Sequence, residues 1–138
     1  MKVYISGSSL DCGKMRMHFK MLSTIENIEV IQDWTTLERL PLNKTSYSDA
    51  SISILDKIKE TDTLLAIMDC PTRSYRGTFS EIGMALALGK KIIVFNPSDT
   101  PVFSFMPSGR FETSLHYQND NITSFTDMRK LVEYLKTV

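Results

Sequence analysis

Glu81 is the residue whose neighbours best equip it for chemistry. It stands in the run RGTFSEIGMALALGKKIIVFN, from Arg76 to Asn96. A glycine turn at Gly77 leads into a helix of small and apolar residues, and Gly89 ends that helix. Thr78 and Glu81 have the spacing of a capping box, in which each side chain satisfies a backbone N–H at the helix start. The same placement suits a reagent. A helix N-terminus favours the ionised carboxylate that a nucleophile needs. Carboxylate attack at an anomeric carbon is the logic of retaining glycosyl transfer. Spacing alone leaves cap and nucleophile both open.

Other candidates gather around short polar segments. Gly7-Ser8-Ser9 supplies backbone N–H groups and hydroxyls just before a helix, which makes a physical anion site. The GxGxxG spacing of a dinucleotide fingerprint is absent, and Gly13-Lys14 lacks the glycine spacing of a P-loop. Lys14 and Arg16 either assist a phosphate or form a solvated helix face. Asp69 is the best-placed acid to accompany Glu81. Trp34 either stacks on a base or packs a loop, and Tyr75 with Arg76 could stack on a base or neutralise phosphate. His18 reads as structural or exposed. His116 has no Cys or His at metal-ligand spacing, so no metal site is expected. The two cysteines, Cys12 and Cys70, do not make a disulfide framework and read as reduced thiols.

The elements that must position these residues alternate in type. Lys2 to Ser6 reads as a buried strand, and Met15, Phe19 and Leu22 form the inner face of a helix from Cys12 to about Thr24. Ile28 to Ile31 is a second strand. Thr35 to Tyr47 has no clear period and reads as a loop or short irregular helix. A helix from Ser48-Asp49 to Glu60 carries Ile52, Leu55 and Ile58 as its buried stripe. Thr63 to Met68 is a third strand. Gly83, Ala85 and Ala87 leave little bulk on the helix after Gly77, so it can lie close to a sheet. Ile92 to Phe95 is a fourth strand, unalternating as a strand covered on both faces should be. Pro97 to Gly109 reads as a loop with a short helix, Leu115 to Gln118 as a fifth strand, and Ser124 to Val138 as a terminal helix.

Strands alternating with helices predict an α/β doubly wound parallel sheet of about five strands, with residues 1–138 as one domain. Ligands of such folds bind beyond the carboxyl ends of the strands. That edge collects Gly7 to Ser9, Asp33 with Trp34, Asp69 to Gly77, and Asn96 to Ser104. Sixteen basic and sixteen acidic residues cancel, so no global field recruits nucleic acid or an anionic membrane. No apolar run reaches membrane-span length, and Met1-Lys2-Val3 enters a strand without a signal-peptide core. A cytoplasmic protein is expected.

Tyr4-Ile5-Ser6-Gly7-Ser8, the run from Gly77 to Ala85 and Gly89-Lys90-Lys91 together resemble the nucleoside 2-deoxyribosyltransferase family, which includes 2′-deoxynucleoside 5′-phosphate N-hydrolases. The resemblance implies a flavodoxin-like sheet. It also implies that Glu81 attacks C1′ of the deoxyribose and that Tyr4 holds Glu81. The trapped sugar then passes to another base or to water. Ser104, in Ser104-Phe105-Met106, is implied to reach a neighbouring subunit's site, so a homo-oligomer of dimer size or larger is expected. Serine rather than asparagine at that place, with Gly7 and Ser8, tilts the expected ligand towards a nucleoside monophosphate. Two departures stand out. Ile54 occupies the place of an aspartate that serves the leaving base, and Tyr75 the place of an aspartate six residues before the nucleophile.

The reading is therefore an enzyme that cleaves the N-glycosidic bond of a 2′-deoxynucleoside or its 5′-monophosphate. Its expected site comprises Glu81, Asp69 as provisional acid and Tyr4, with Gly7, Ser8, Ser9, Trp34, Arg76, Gly77 and Ser104 binding substrate. No cofactor is required. The alternatives are a non-catalytic nucleotide-binding or sensing module, which Ile54 favours, and an N-ribosyl hydrolase acting on another nucleotide.

Overall fold

A computed structural model describes residues 1–31, 33–36, 44–70, 73–97 and 120–138. Its strands are β1 (Lys2–Ser6), β2 (Glu29–Val30), β3 (Thr63–Ile67), β4 (Lys91–Phe95) and β5 (Ile122–Phe125). Its helices are α1 (Cys12–Leu22), α2 (Lys44–Glu60), α3 (Arg76–Ala87) and α4 (Met128–Thr137), with 3₁₀ turns at Ser9–Asp11 and Trp34–Thr36.

All strand pairs are parallel, in the order β2-β1-β3-β4-β5. This is the flavodoxin-like order, and the direction of winding reverses between β1 and β3. A ligand crevice forms beyond the carboxyl ends of strands at such a reversal.

Strand side chains alternate between the two faces, so sequence parity decides which helix each residue meets. Tyr4, Leu64, Ala66, Met68, Ile92 and Val94 pack with Ile58 of α2 and Ile82 and Ala85 of α3. Val3, Ile5, Leu65, Ile67, Ile93 and Phe95 pack with Met15, Phe19 and Leu22 of α1 and Leu131 and Leu135 of α4. Ser6 shares parity with Tyr4 and therefore belongs to the α3 side.

Gly7 leaves β1 where the chain passes close to α1. A Cβ there would stand 2.5 Å from Met15 Cε and 2.6 Å from its Sδ. Gly89 closes α3 with φ of +68°. Lys90 N–H donates to the Ala85 carbonyl at 2.9 Å and Gly89 N–H to that of Leu86 at 3.0 Å, the paired bonds of a Schellman motif.

Several local expectations change. The fifth strand is Ile122–Phe125; Leu115 to Gln118 lies outside the described residues. Consequently α4 starts later, at Met128, with the Asp127 carboxylate accepting from Arg129 N–H at 2.8 Å as its cap. Helix α2 starts earlier, at Lys44, and Ile54 with Ile58, not Ile52, faces the core; Ile52 is exposed. Of the three small residues expected to face the sheet from α3, Ala85 does so, whereas Gly83 and Ala87 face outward.

Candidate active site around Glu81

The start of α3 is set by Tyr75, not by Thr78. Tyr75 is buried, and its hydroxyl accepts the Cys70 N–H at 2.9 Å. Its backbone is left-handed, with φ of 51°, and its carbonyl accepts the Phe79 N–H at 2.9 Å to close the first helical turn. Helical residues thus begin at Arg76, and Gly77 is inside the helix. Thr78 is the third helical residue and Glu81 the sixth, one turn too deep for a capping box. Thr78 Oγ1 is buried without a partner, so the expected cap is not formed.

Glu81 instead turns towards β1. The residue is partly buried and its Oε2 is shut from solvent with no hydrogen-bond partner. Tyr4 and Ser6, two residues apart on one face of β1, are the polar side chains that act on it. Burial raises the Glu81 carboxyl to about 7, against the pull of Ser6 and Tyr4 on the charged form. The helix N-terminus was expected to keep this group ionised; burial one turn further in outweighs it. Ser6 Oγ is also buried and unpartnered, so it acts on Glu81 without completing a well-formed bond. Burial, then the charge of Glu81 and its hydrogen-bonding to the phenol, push Tyr4 far above its ordinary range. Tyr4 therefore stays a proton donor at any working pH.

Asp69 stands on the other side. Odd parity after β3 turns it towards α1, where its Oδ2 lies 2.6 Å from Lys14 Nζ and 3.8 Å from His18 Nε2. Burial pushes its carboxyl up, but His18 and Lys14 together outweigh that and hold it below the usual range. An ion-paired carboxylate of this kind is an acceptor. It is not a poised acid, and this geometry argues against the role expected of Asp69.

The remaining candidates divide. Ser8 Oγ accepts the Leu10 N–H at 3.3 Å and caps the 3₁₀ turn, which Ser9 begins. Asp11, next along, takes a two-pronged contact from Arg73, Nη2 to Oδ1 at 2.9 Å and Nε to Oδ2 at 3.2 Å. That pair ties the segment after β1 to the one before α3. Trp34 packs edge-on against Phe19 and its Nε1 donates to the Ile5 carbonyl at 2.7 Å. The two-residue β2 ends too soon to reach Ile5, so the indole fills both roles and is a packing residue. Arg76 and Gly77 are exposed on the first turn of α3. Tyr75 is committed to the core and does not stack on a ligand. Ser104 lies outside the described residues.

Ile54 is partly buried and packs against the apolar core beside α3. Asp49 and Asp56 are exposed, and Asp56 lies 3.9 Å from Lys59. Among the described residues no group of three His, Cys, Asp or Glu comes together as a metal site requires. Two clefts on the described surface, one between α1 and α4 and one along α1 beside Val30 and Asp33, lie away from Glu81. No described helix is long and apolar enough to cross a membrane.

Ser6 was not singled out from sequence, although its signal was present: it is two residues from Tyr4 on a strand, hence on the same face. The Arg73–Asp11 and Lys14–Asp69 pairs had no local signal, since each joins segments more than fifty residues apart.

No family model and no curated protein matches the sequence. Solved structures do match the fold. A CMP N-glycosidase from Clostridium botulinum superposes with a TM-score of 0.61 at 21% identity, over 99% of this chain and 98% of that one. A 2-desoxiribosyltransferase from Leishmania mexicana gives 0.62 at 18% identity, over 99% and 97%. A conserved protein from Enterococcus faecalis gives 0.63 at 16%, over 99% and 98%. The chain thus has the flavodoxin-like fold that an N-glycosidase and a desoxiribosyltransferase share.

Proposed function

We propose that the protein is an enzyme that cleaves the N-glycosidic bond of a 2′-deoxynucleoside or its 5′-monophosphate, with Glu81 as nucleophile. The observation that carries this reading is the Glu81 carboxylate itself. It is neither a cap nor half of an ion pair, its Oε2 has no hydrogen-bond partner, and it is flanked by Tyr4 and Ser6. A structural carboxylate with an oxygen shut from solvent would have that oxygen satisfied. The likeness to an N-glycosidase and a desoxiribosyltransferase supports the same chemistry.

In the reaction, one Glu81 oxygen bonds to C1′ as the C1′–N bond breaks. The bonding pair leaves with the base, which takes a proton from solvent. Water, or a second base, then displaces Glu81 from C1′, gives up a proton to solvent and restores the carboxylate. Tyr4 donates to the carboxylate and fixes its orientation. Gly7, Ser8 and Ser9 lie at the sheet edge on the sugar or phosphate side, and Ser104 of a second copy completes the site in a homo-oligomer.

The test is incubation with each deoxynucleoside and deoxynucleoside monophosphate, with chromatography for free base. Release that disappears in Glu81→Ala supports the reading. Cleavage confined to ribose substrates would move the assignment to an N-ribosyl hydrolase.

A second reading rests on Ile54. An aliphatic side chain stands where the family resembled has an aspartate for the leaving base, so a nucleotide-binding module without turnover fits that one position. Saturable binding by calorimetry with no base released is its signature.

A further inference from the structure

We propose that Ser6 is a positioning residue for the Glu81 carboxylate: its hydroxyl donates to Oε2 when the carboxylate is charged, and with Tyr4 it fixes the orientation of the group. The inference rests on the reading of Glu81 as nucleophile, and adds a residue that this reading does not require.

Ser6 Oγ and Glu81 Oε2 are both buried and both lack a hydrogen-bond partner. Buried polar atoms are nearly always paired, so two that act on each other without a completed bond are best explained as partners in another charge state. Parity directs Ser6 to the α3 side with Tyr4, while Val3 and Ile5 face α1. Its backbone is held in register by β3, with Ser6 opposite Ala66.

Nothing charged competes for Glu81 among the described residues. Tyr4 of β1 is the titratable group facing it. From α2, Asp49 and Asp56 face solvent, with Asp56 beside Lys59, and Lys57 contacts Glu60. From β3 and β4 the facing residues are Ala66, Met68, Ile92 and Val94, all uncharged. A hydroxyl donor is then the main means of favouring the charged form, beside Tyr4.

The test is carboxyl ¹³C NMR titration of the full chain without substrate, the Glu81 signal being assigned by its loss in Glu81→Gln. Ser6→Ala is expected to move the Glu81 midpoint upward by about one pH unit, since a hydrogen bond to a charged group has been removed. Ser6→Cys, a similar shape with a weaker donor, should fall between. An unmoved or lowered midpoint in Ser6→Ala overturns the proposal. Should the alanine variant not fold, the cysteine variant decides by the same criterion. The acid limb of base release should move with the midpoint. If the wild type releases no base yet Ser6→Ala displaces the titration, the enzymatic reading fails and the pairing stands. If release needs Glu81 but the titration is unmoved, the reverse holds.

Discussion

Lys14 Nζ lies 2.6 Å from Asp69 Oδ2, and this ion pair holds on the α1 side the carboxylate that had looked like an acid for Glu81. Removing a general acid typically costs 10²–10⁴-fold in rate. Asp69→Asn is therefore expected to lower base release less than about tenfold, below that range. Steady-state rates for the purified variant check this, and a loss of several hundredfold would return Asp69 to the reaction.

Burial of Glu81 has a stability cost whose sign depends on pH. The carboxyl ionises at about 7 in the folded protein and near its ordinary 4.5 when unfolded. Below the lower value both states hold the proton and nothing is lost. Between the two, the folded state binds more protons than the unfolded one, so stability falls as pH rises and the full penalty is present above 7. That interval corresponds to about 3 kcal/mol. Glu81→Gln should gain stability over wild type on going from pH 5 to pH 8. Denaturant titrations at both values read it directly; equal differences at the two would contradict the burial argument.

Tyr75 is held in a left-handed conformation by a buried ring whose hydroxyl receives the Cys70 N–H. Tyr75→Phe keeps the ring and deprives that N–H of its acceptor, at an expected cost of about 1–3 kcal/mol. Thermal unfolding with circular dichroism measures the loss. Because this residue sets where α3 begins, a lower rate should accompany it.

Two glycines of the Glu81 run should respond oppositely to alanine. Gly83 is exposed in the helix with nothing within 4 Å of an added Cβ, so Gly83→Ala should stabilise by about 0.5–1 kcal/mol. Gly89 has φ of +68°, where a Cβ is strained, and Gly89→Ala should destabilise by about 1–2 kcal/mol. The pair of midpoints in urea tests both signs at once.

These outcomes mark how far the chain could be read without coordinates. Unbroken apolar runs such as Leu64 to Met68 and Ile92 to Phe95 announce a parallel sheet covered on both faces, and their alternation with helices gives its architecture. Glu81 and Tyr4 were legible for a different reason, since the motifs around them carry a resemblance. What local pattern missed depends on contacts remote in sequence. Tyr75 displaces the helix start because its side chain reaches the core and Cys70, so the Thr78–Glu81 spacing never becomes a cap. Trp34 turns to packing because β2 is too short to satisfy Ile5. Asp69 is claimed by Lys14, fifty-five positions earlier. Ile52 and Ile54 carry the same side chain but stand on nearly opposite faces of α2, and the face that α2 turns to the sheet decides which is exposed and which partly buried.

The central claim is that Glu81 bonds to the sugar, and intact-mass spectrometry of acid-quenched turnover tests it most directly. With a deoxynucleoside monophosphate that releases base, the account predicts a protein adduct one deoxyribosyl phosphate heavier than the free chain, mapping to the peptide that contains Glu81 and absent in Glu81→Gln. An adduct on another residue, or base release that persists in Glu81→Gln at the wild-type rate, would contradict it.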